Sequence, residues 1–329
     1  MLIIWILIFG ASLAVLIKAA DYFTEAAEKI GLALKISPFV LGLTIVTFGT
    51  TLPELSTSIV AVIKNQTEIV AANAIGSNIA NILLIIGIVA VVAKVLIVKR
   101  SLIEIDLPLL AGAVALITVI CWDKQITMGE GIVAILGYLV YCFYAFQEEK
   151  REEGGRAGIL KGGELPLTRE KRHFFRRKNR PLNFSLILIL LASAAAVYLG
   201  ATFTVKAMMG LAAILNISSS IVAIIALAIG TSLPELFVCL SAVKRGQFDI
   251  ALGNVFGANI FNILMITGVA SLFRTLKVDQ ATFGIGIPFL IGATVLYIFS
   301  GISGKIHKWD GLMYLLIYVM FVAKLIGLF

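Results

Sequence analysis

Charge is scarce in this 329-residue chain: 14% of its residues are charged and 60% are hydrophobic, and the mean hydropathy is +1.03. That balance excludes a soluble globular protein. Cysteine is nearly absent. Cys121, Cys142 and Cys239 lie within or at the ends of apolar stretches, without metal-type spacing, and read as packing residues. The two histidines, His173 and His307, are too far apart in sequence to suggest a metal site. The apolar stretches hold no Ser/His or Asp/Asp pairing, so an enzyme is not expected and no cofactor is called for. A positively charged leader with a small-residue cleavage site is also lacking, which makes the first stretch a retained helix and not a signal peptide.

What is present is one apolar stretch after another, each near the roughly 20 residues a helix needs to cross a bilayer. Ten are expected, at 2–20, 37–63, 69–95, 102–121, 126–147, 183–206, 218–243, 248–272, 280–300 and 306–328. Trp5, Trp122 and Trp309 fall near span ends, where interfacial aromatics belong. With the N-terminus outside, outside loops carry 6 of the 27 Lys and Arg residues, namely Lys64, Lys124, Lys206, Arg274, Lys277 and Lys324; the other 21 lie inside. This asymmetry orients both termini outward, across a plasma membrane. The net charge of +8 is then explained without nucleic acid. The basic run Arg169 to Arg180 faces cytoplasmic lipid headgroups, and no obligate protein partner is evident.

Sliding the chain over itself by 181 residues aligns 49–87 with 230–268 without a gap, and 19 of those 39 positions are identical. Each half holds five spans. Because five is odd, the second half enters the membrane with opposite orientation. The expectation is an all-α integral membrane protein of ten transmembrane helices in two inverted five-helix repeats, 1–147 and 182–329, joined by a cytoplasmic linker at 148–181.

The repeated segments are Gly49-Thr50-Thr51-Leu52-Pro53-Glu54 and Gly230-Thr231-Ser232-Leu233-Pro234-Glu235. A carboxylate within hydrocarbon costs a few kcal/mol or more and is rare without a partner, a pore or a ligand. No Lys or Arg lies in the central turns of the spans to pair with either glutamate. Pro53 and Pro234 free the carbonyls of Gly49 and Gly230, and the glycines let those of Thr47, Thr50, Ala228 and Thr231 tilt outward. Thr50 and Glu54 stack on one helical face, as do Thr231 and Glu235. Hydroxyl, carbonyl and carboxylate converge, and two glutamates neutralise one calcium ion, which takes six to eight oxygens in flexible geometry.

The helices that follow carry matching polar sets, Asn73-Ala74-Ile75-Gly76-Ser77-Asn78-Ile79-Ala80-Asn81 and Asn254-Val255-Phe256-Gly257-Ala258-Asn259-Ile260-Phe261-Asn262. Asn73, Ser77 and Asn81 form a stripe that suits calcium or the smaller charge of sodium. Gly76 and Gly257 would bring it close to the broken helix. Asn78 and Asn259, about 140° round the helix, suit packing as well as ligation. Glu104 and Asp106, beginning the fourth span beside Lys99 and Arg100, read as interfacial charges.

Two copies of G-T-[ST]-L-P-E, each followed by G-[SA]-N-I-x-N-I-L, closely resemble the alpha repeats of sodium/calcium exchangers in the calcium/cation antiporter superfamily, in their compact prokaryotic form. The resemblance implies that Glu54 and Glu235 bind calcium with Thr50 and Thr231. It also implies that Thr47, Thr51, Ser77, Ala228 and Ser232 contribute to flanking sodium sites, with Asn81 and Asn262 between them. Two departures matter. Some relatives have Asp at Asn262 and Ser at Ala258, so a side-chain sodium ligand and a third charge are missing here. Asn262 argues against potassium dependence. The proton-coupled branch carries G-N-x-x-E in place of this motif, which favours sodium coupling.

The expected activity is sodium/calcium antiport by alternating access, both ions competing for sites built on the same carboxylates. The resemblance implies that spans 2–3 and 7–8 form a fixed core across which spans 1 and 6 slide. A proton/calcium antiporter is the nearest rival. A channel usually builds its pore from symmetric subunits, whereas this chain carries its own two-fold.

Overall fold

The computed structural model describes residues 2–34, 36–98, 106–159, 183–214 and 232–328. The described residues form ten helical segments. We number them α1 (Leu2–Leu34), α2 (38–63), α3 (Glu68–Ala93), α4 (Leu107–Ile120), α5 (Met128–Ile159), α6 (Phe184–Ile214), α7 (Leu233–Lys244), α8 (Phe248–Phe273), α9 (Thr282–Ile302) and α10 (Lys308–Leu325). Six are long and apolar enough to cross a membrane: α1, α3, α5, α6, α8 and α9; α2 makes a seventh if its two bent halves count as one span. α1 runs well past the expected end at residue 20, and α5 continues through Ile159 into the expected linker. The rest of the linker, with the basic run, His173 and Glu104, lies outside the described residues.

α3 and α8 are the centre of the fold. In each, most of the span is buried, 72% and 83% of the most apolar window, against 17–22% for α1, α5 and α6. Both helices contain a π-turn at matching places, Ala80–Ile85 and Phe261–Ile266, 181 residues apart. α2 and α7 cross α8 and also touch α3, α10 packs on the second half of α3, and α5 packs on the second half of α8. The last two contacts are glycine-lined in the same way. A methyl group on Gly311 would lie 2.6 Å from the Gly87 carbonyl oxygen, and one on Gly268 would lie 2.9 Å from that of Gly131. Small residues there let backbones approach, which is how helices gain packing energy inside a bilayer.

Short strands tie the halves together at both ends. β1 (Val95–Ile97) pairs antiparallel with β4 (Lys305–His307), and β2 (Gln125–Ile126) with β3 (Leu276–Lys277). Each ladder joins the segment after the central helix of one half to the last hairpin of the other. Equivalent hydrogen bonds extend both: Val98 N to Gly304 O and Val278 N to Lys124 O, each 2.9 Å. The helices leaving the two hairpins begin alike, with Glu130 accepting from the Thr127 amide at 2.8 Å and Asp310 from the His307 amide at 2.8 Å. These side chains satisfy amides that a helix start leaves without partners.

α1 lies along α6 in antiparallel sense. Thr204 Oγ1 donates to Ser12 Oγ at 3.0 Å, Gly200 sits on the Leu16 backbone, and Gly210 sits on the Trp5 ring. The extra length of α1 is explained by its partners. Ser241 Oγ donates to Asp21 Oδ1 at 2.7 Å, Arg245 Nη2 to Glu25 Oε2 at 3.1 Å, and Gln247 Nε2 to Glu28 Oε1 at 3.2 Å. An acidic turn outside the apolar run is thus held by the α7–α8 connection.

Candidate cation site

α2 changes direction by 44° between Pro38–Leu52 and Glu54–Ile63. The break falls at Pro53, where the missing amide and the ring disfavour a straight helix, and it sets Glu54 at the start of the second arm. In the other half α7 starts at Leu233 with Pro234 in its first turn, followed by Glu235. Gly230, Thr231 and Ala228 lie outside the described residues. Above the break, Gly49 abuts the Phe23 ring of α1, so this glycine serves close packing as well as backbone freedom.

Glu54 and Glu235 come from different halves, are each 1% exposed, and are close enough for their charges to act on one another. The Thr50 hydroxyl stands beside Glu235. It is hydrogen-bonded to Asn254 Oδ1 at 3.3 Å and to the Thr47 carbonyl at 3.2 Å. Thr51 Oγ1 donates to the same Thr47 carbonyl at 2.8 Å. The Thr47 oxygen expected to tilt free therefore takes hydroxyl donors. Thr47's own hydroxyl donates to the Gly42 carbonyl at 2.9 Å, and the Asn254 carbonyl also faces it at 3.2 Å.

Those last contacts exist because α8 presses backbone to backbone on the first arm of α2. A methyl group on Gly253 would run into the Phe39 carbonyl oxygen, and one on Gly257 into the Thr47 hydroxyl. Gly257 thus does bring the polar set of α8 onto the broken helix. Asn73, Ser77 and Asn81 are all buried, and Asn81 and Asn262 each sit one residue into a π-turn. Such turns widen the helix locally and recur at functional sites.

Among the described residues, buried side-chain oxygens and nitrogens without a hydrogen-bond partner concentrate here. They include both oxygens of Glu54 and of Glu235, both amide atoms of Asn81 and Asn259, and single atoms of Asn73, Asn78, Asn262 and Ser232. Ser58 adds a hydroxyl, while the unpartnered Tyr141 hydroxyl lies apart from the site, near Asp106. An unsatisfied buried polar group costs about 1–3 kcal/mol, so a cluster of them is retained only where something compensates. Asn78 and Asn259 divide: Asn78 Nδ2 donates to the Ala74 carbonyl at 2.8 Å, whereas neither end of the fully buried Asn259 amide is bonded. No group of three or more His, Cys, Asp or Glu residues able to hold a metal occurs among the described residues. The donor set is two carboxylates with neutral amide, hydroxyl and carbonyl oxygens, which suits hard cations.

Three residues gain neighbours that the sequence does not show. Asp106, expected among interfacial charges, is buried and lies near Tyr141 and Tyr297. Cys239 packs against the site: Asn254 Nδ2 donates to its sulfur at 3.4 Å. Ala258 is fully buried, so its methyl packs within the protein.

The profile of the sodium/calcium exchanger protein family matches residues 4–147 and 185–327. The chain belongs to that family. It is 32% identical to the sodium/calcium exchanger MaX1 of Methanosarcina acetivorans, over 97% of each chain. It is 31% identical to the uncharacterized membrane protein MJ0091 of Methanocaldococcus jannaschii, over 99% of each. Its fold matches the solved sodium-calcium exchanger NCX_Mj, soaked with sodium and strontium, with a TM-score of 0.79 and 28% identity over 98% of this chain and 99% of that one. MaX1 and NCX_Mj are both named as sodium/calcium exchangers, which are transporters and not enzymes.

Proposed function

We propose that the protein exchanges sodium for calcium across the cell membrane by alternating access, with Glu54 and Glu235 as the shared cation ligands. The observation that carries this is the pair itself. Two carboxylates from opposite halves are buried and lie within reach of each other's charge, and apart from the Thr50 hydroxyl beside Glu235 no side-chain donor among the described residues meets their four oxygens. Like charges in that arrangement need a cation between them or a proton on one of them. Calcium neutralises both at once, while sodium ions do so in company, so the two compete for the same oxygens. In this reading Thr50, Thr231, Asn81 and Asn262 complete the central site. Thr47, Thr51, Ser77, Ala228 and Ser232 flank it through hydroxyl or backbone oxygens.

The ten-span inverted arrangement is supported by which connections meet, and the placement of both termini outside rests on the Lys and Arg asymmetry. The connections after α1, α3, α7 and α9, all assigned inside, join one another through Arg245–Glu25 and the β1–β4 ladder. Those after α2, α4 and α8, all assigned outside, join through β2–β3 and through Arg274 Nη1 donating to Asn65 Oδ1 at 2.7 Å. The halves are then 1–147 and 182–329, with the connector 148–181 between them.

Radiolabelled calcium uptake into sodium-loaded proteoliposomes, diluted into sodium-free buffer, tests the proposal. Uptake should require internal sodium and vanish in Glu54→Gln and in Glu235→Gln. Uptake that follows a pH gradient without sodium would instead mark a proton/calcium antiporter, and activity surviving both substitutions would remove the paired-glutamate site.

A further inference from the structure

Resting on that reading of the site, we infer that Asn254 is a positioning residue for cation binding: its amide oxygen takes the Thr50 proton and so turns the Thr50 lone pairs toward the carboxylates. A hydroxyl binds a cation through its oxygen and must send its hydrogen elsewhere. Around Thr50 three acceptors compete for that hydrogen: the Thr47 carbonyl, Asn254 Oδ1 and the Glu235 carboxylate. The Thr47 carbonyl already accepts from Thr51 at the shorter distance of 2.8 Å. A proton on the Glu235 side would point into the cation. Asn254, on α8, draws it the opposite way.

The amide is itself fixed. Asn254 is fully buried, its Nδ2 donates to Cys239 Sγ at 3.4 Å, and its Oδ1 also faces the Thr47 hydroxyl at 3.5 Å. Cys239 Sγ is in turn 3.5 Å from the Ala251 carbonyl. As placed, Nδ2 meets the sulfur, whose own hydrogen faces the Ala251 carbonyl, and Oδ1 meets the two hydroxyls, so both ends of the amide are engaged. The chain Ala251–Cys239–Asn254–Thr50–Glu235 therefore runs from backbone to the paired carboxylates and crosses from the second half of the protein to the first. The same positions in the other half are Ser58, Asn73 and Thr231. The Ser58 hydroxyl and Asn73 Oδ1 are buried without partners, and Thr231 lies outside the described residues. The positioning role is assigned to Asn254 alone.

The test is a double-mutant cycle read as calcium affinity, by titration calorimetry of detergent-purified full-length protein with calcium chloride. Asn254→Ala and the nearly isosteric Asn254→Leu should each raise the calcium Kd about tenfold, the size of one charge-assisted contact. In a Thr50→Val background, which has no hydroxyl to orient, neither should change it further. In Thr50→Ser the dependence on Asn254 should persist. Cys239→Val removes only the sulfur that fixes the amide and should raise Kd about two- to threefold. It serves if both Asn254 variants fail to fold. An equal loss in the wild-type and Thr50→Val backgrounds, or an unchanged Kd in the Asn254 or Cys239 variants, would overturn the positioning role while leaving the exchanger reading intact. A wild-type protein that does not bind calcium at all would overturn both.

Discussion

Leu96 in the first half is the strand partner of Ile306 in the second, and Ile126 is the partner of Leu276. All four side chains are buried. Each half therefore closes the end of the other, and the halves are interleaved instead of merely abutting. Cysteines at Ile97 and Lys305, which are ladder partners on the exposed face, should cross-link on mild oxidation. With a protease site placed in the connector, cleaved protein should migrate as one band when oxidised and as two when reduced. Two bands under both conditions would mean that this ladder does not form.

The contact of α8 on α2 predicts a sharp difference between two glycines. Gly253 has no room for a methyl group because the Phe39 carbonyl oxygen is in the way, whereas Gly292 is exposed on α9 with nothing within 4 Å. Gly253→Ala should lower stability by about 1–3 kcal/mol, as overpacking does, and depress transport by separating Asn254 from Thr50. Gly292→Ala should be neutral or gain up to ~1 kcal/mol of helix propensity. Thermal unfolding in detergent distinguishes them; equal effects would count against backbone contact at this crossing.

The end of α1 is held to the α7–α8 connection by two contacts of different worth. Ser241 is buried and donates to the Asp21 carboxylate at 2.7 Å, while the Arg245–Glu25 pair is about a third exposed on each side. Ser241→Ala should cost about 1–2 kcal/mol, as for a hydrogen bond to a charged group, and Arg245→Ala less than ~1 kcal/mol. If α1 slides during exchange, loosening this joint should alter the turnover rate at saturating calcium and leave the calcium concentration for half-maximal rate unchanged. A shift in that concentration alone would show that the joint communicates with the site instead.

The sequence carried the central pair plainly. A repeated proline–glutamate step within apolar helices leaves few physical readings, and the 181-residue offset made the internal repeat legible before any contact was known. What it could not carry was partnership across the halves. Asn254 looks like one polar residue in a stripe until Gly253 and Gly257 bring α8 onto α2, and only then does its amide meet Thr50. Cys239 read as packing because its partner, Asn254, is 15 residues away on another helix. Asp106 read as interfacial because its neighbours in sequence are charged, whereas its neighbours in space, Tyr141 and Tyr297, arrive from α5 and α9. The expected end of the first span is residue 20, whereas the acidic turn at Asp21, Glu25 and Glu28 stays helical where Ser241, Arg245 and Gln247 meet it from the far half.

Shortening a carboxylate tests distance where neutralising it tests charge. Glu54 and Glu235 feel each other's charge, so in the proposed site calcium would bridge whatever gap the two helices set. Glu54→Asp keeps the charge and withdraws it by one methylene, more than about an ångström, against calcium–oxygen distances of about 2.3–2.6 Å. Calcium transport should fall about 10- to 100-fold, the range expected when a charged ligand is displaced and not lost. Sodium–sodium exchange should suffer less, because two singly charged ions need not be shared between both carboxylates. Measuring radiolabelled calcium uptake and radiolabelled sodium exchange on the same Glu54→Asp proteoliposomes separates the possibilities. Parallel losses would mean that both ions require the same bridging geometry, and an unimpaired calcium flux would mean that Glu54 does not touch calcium.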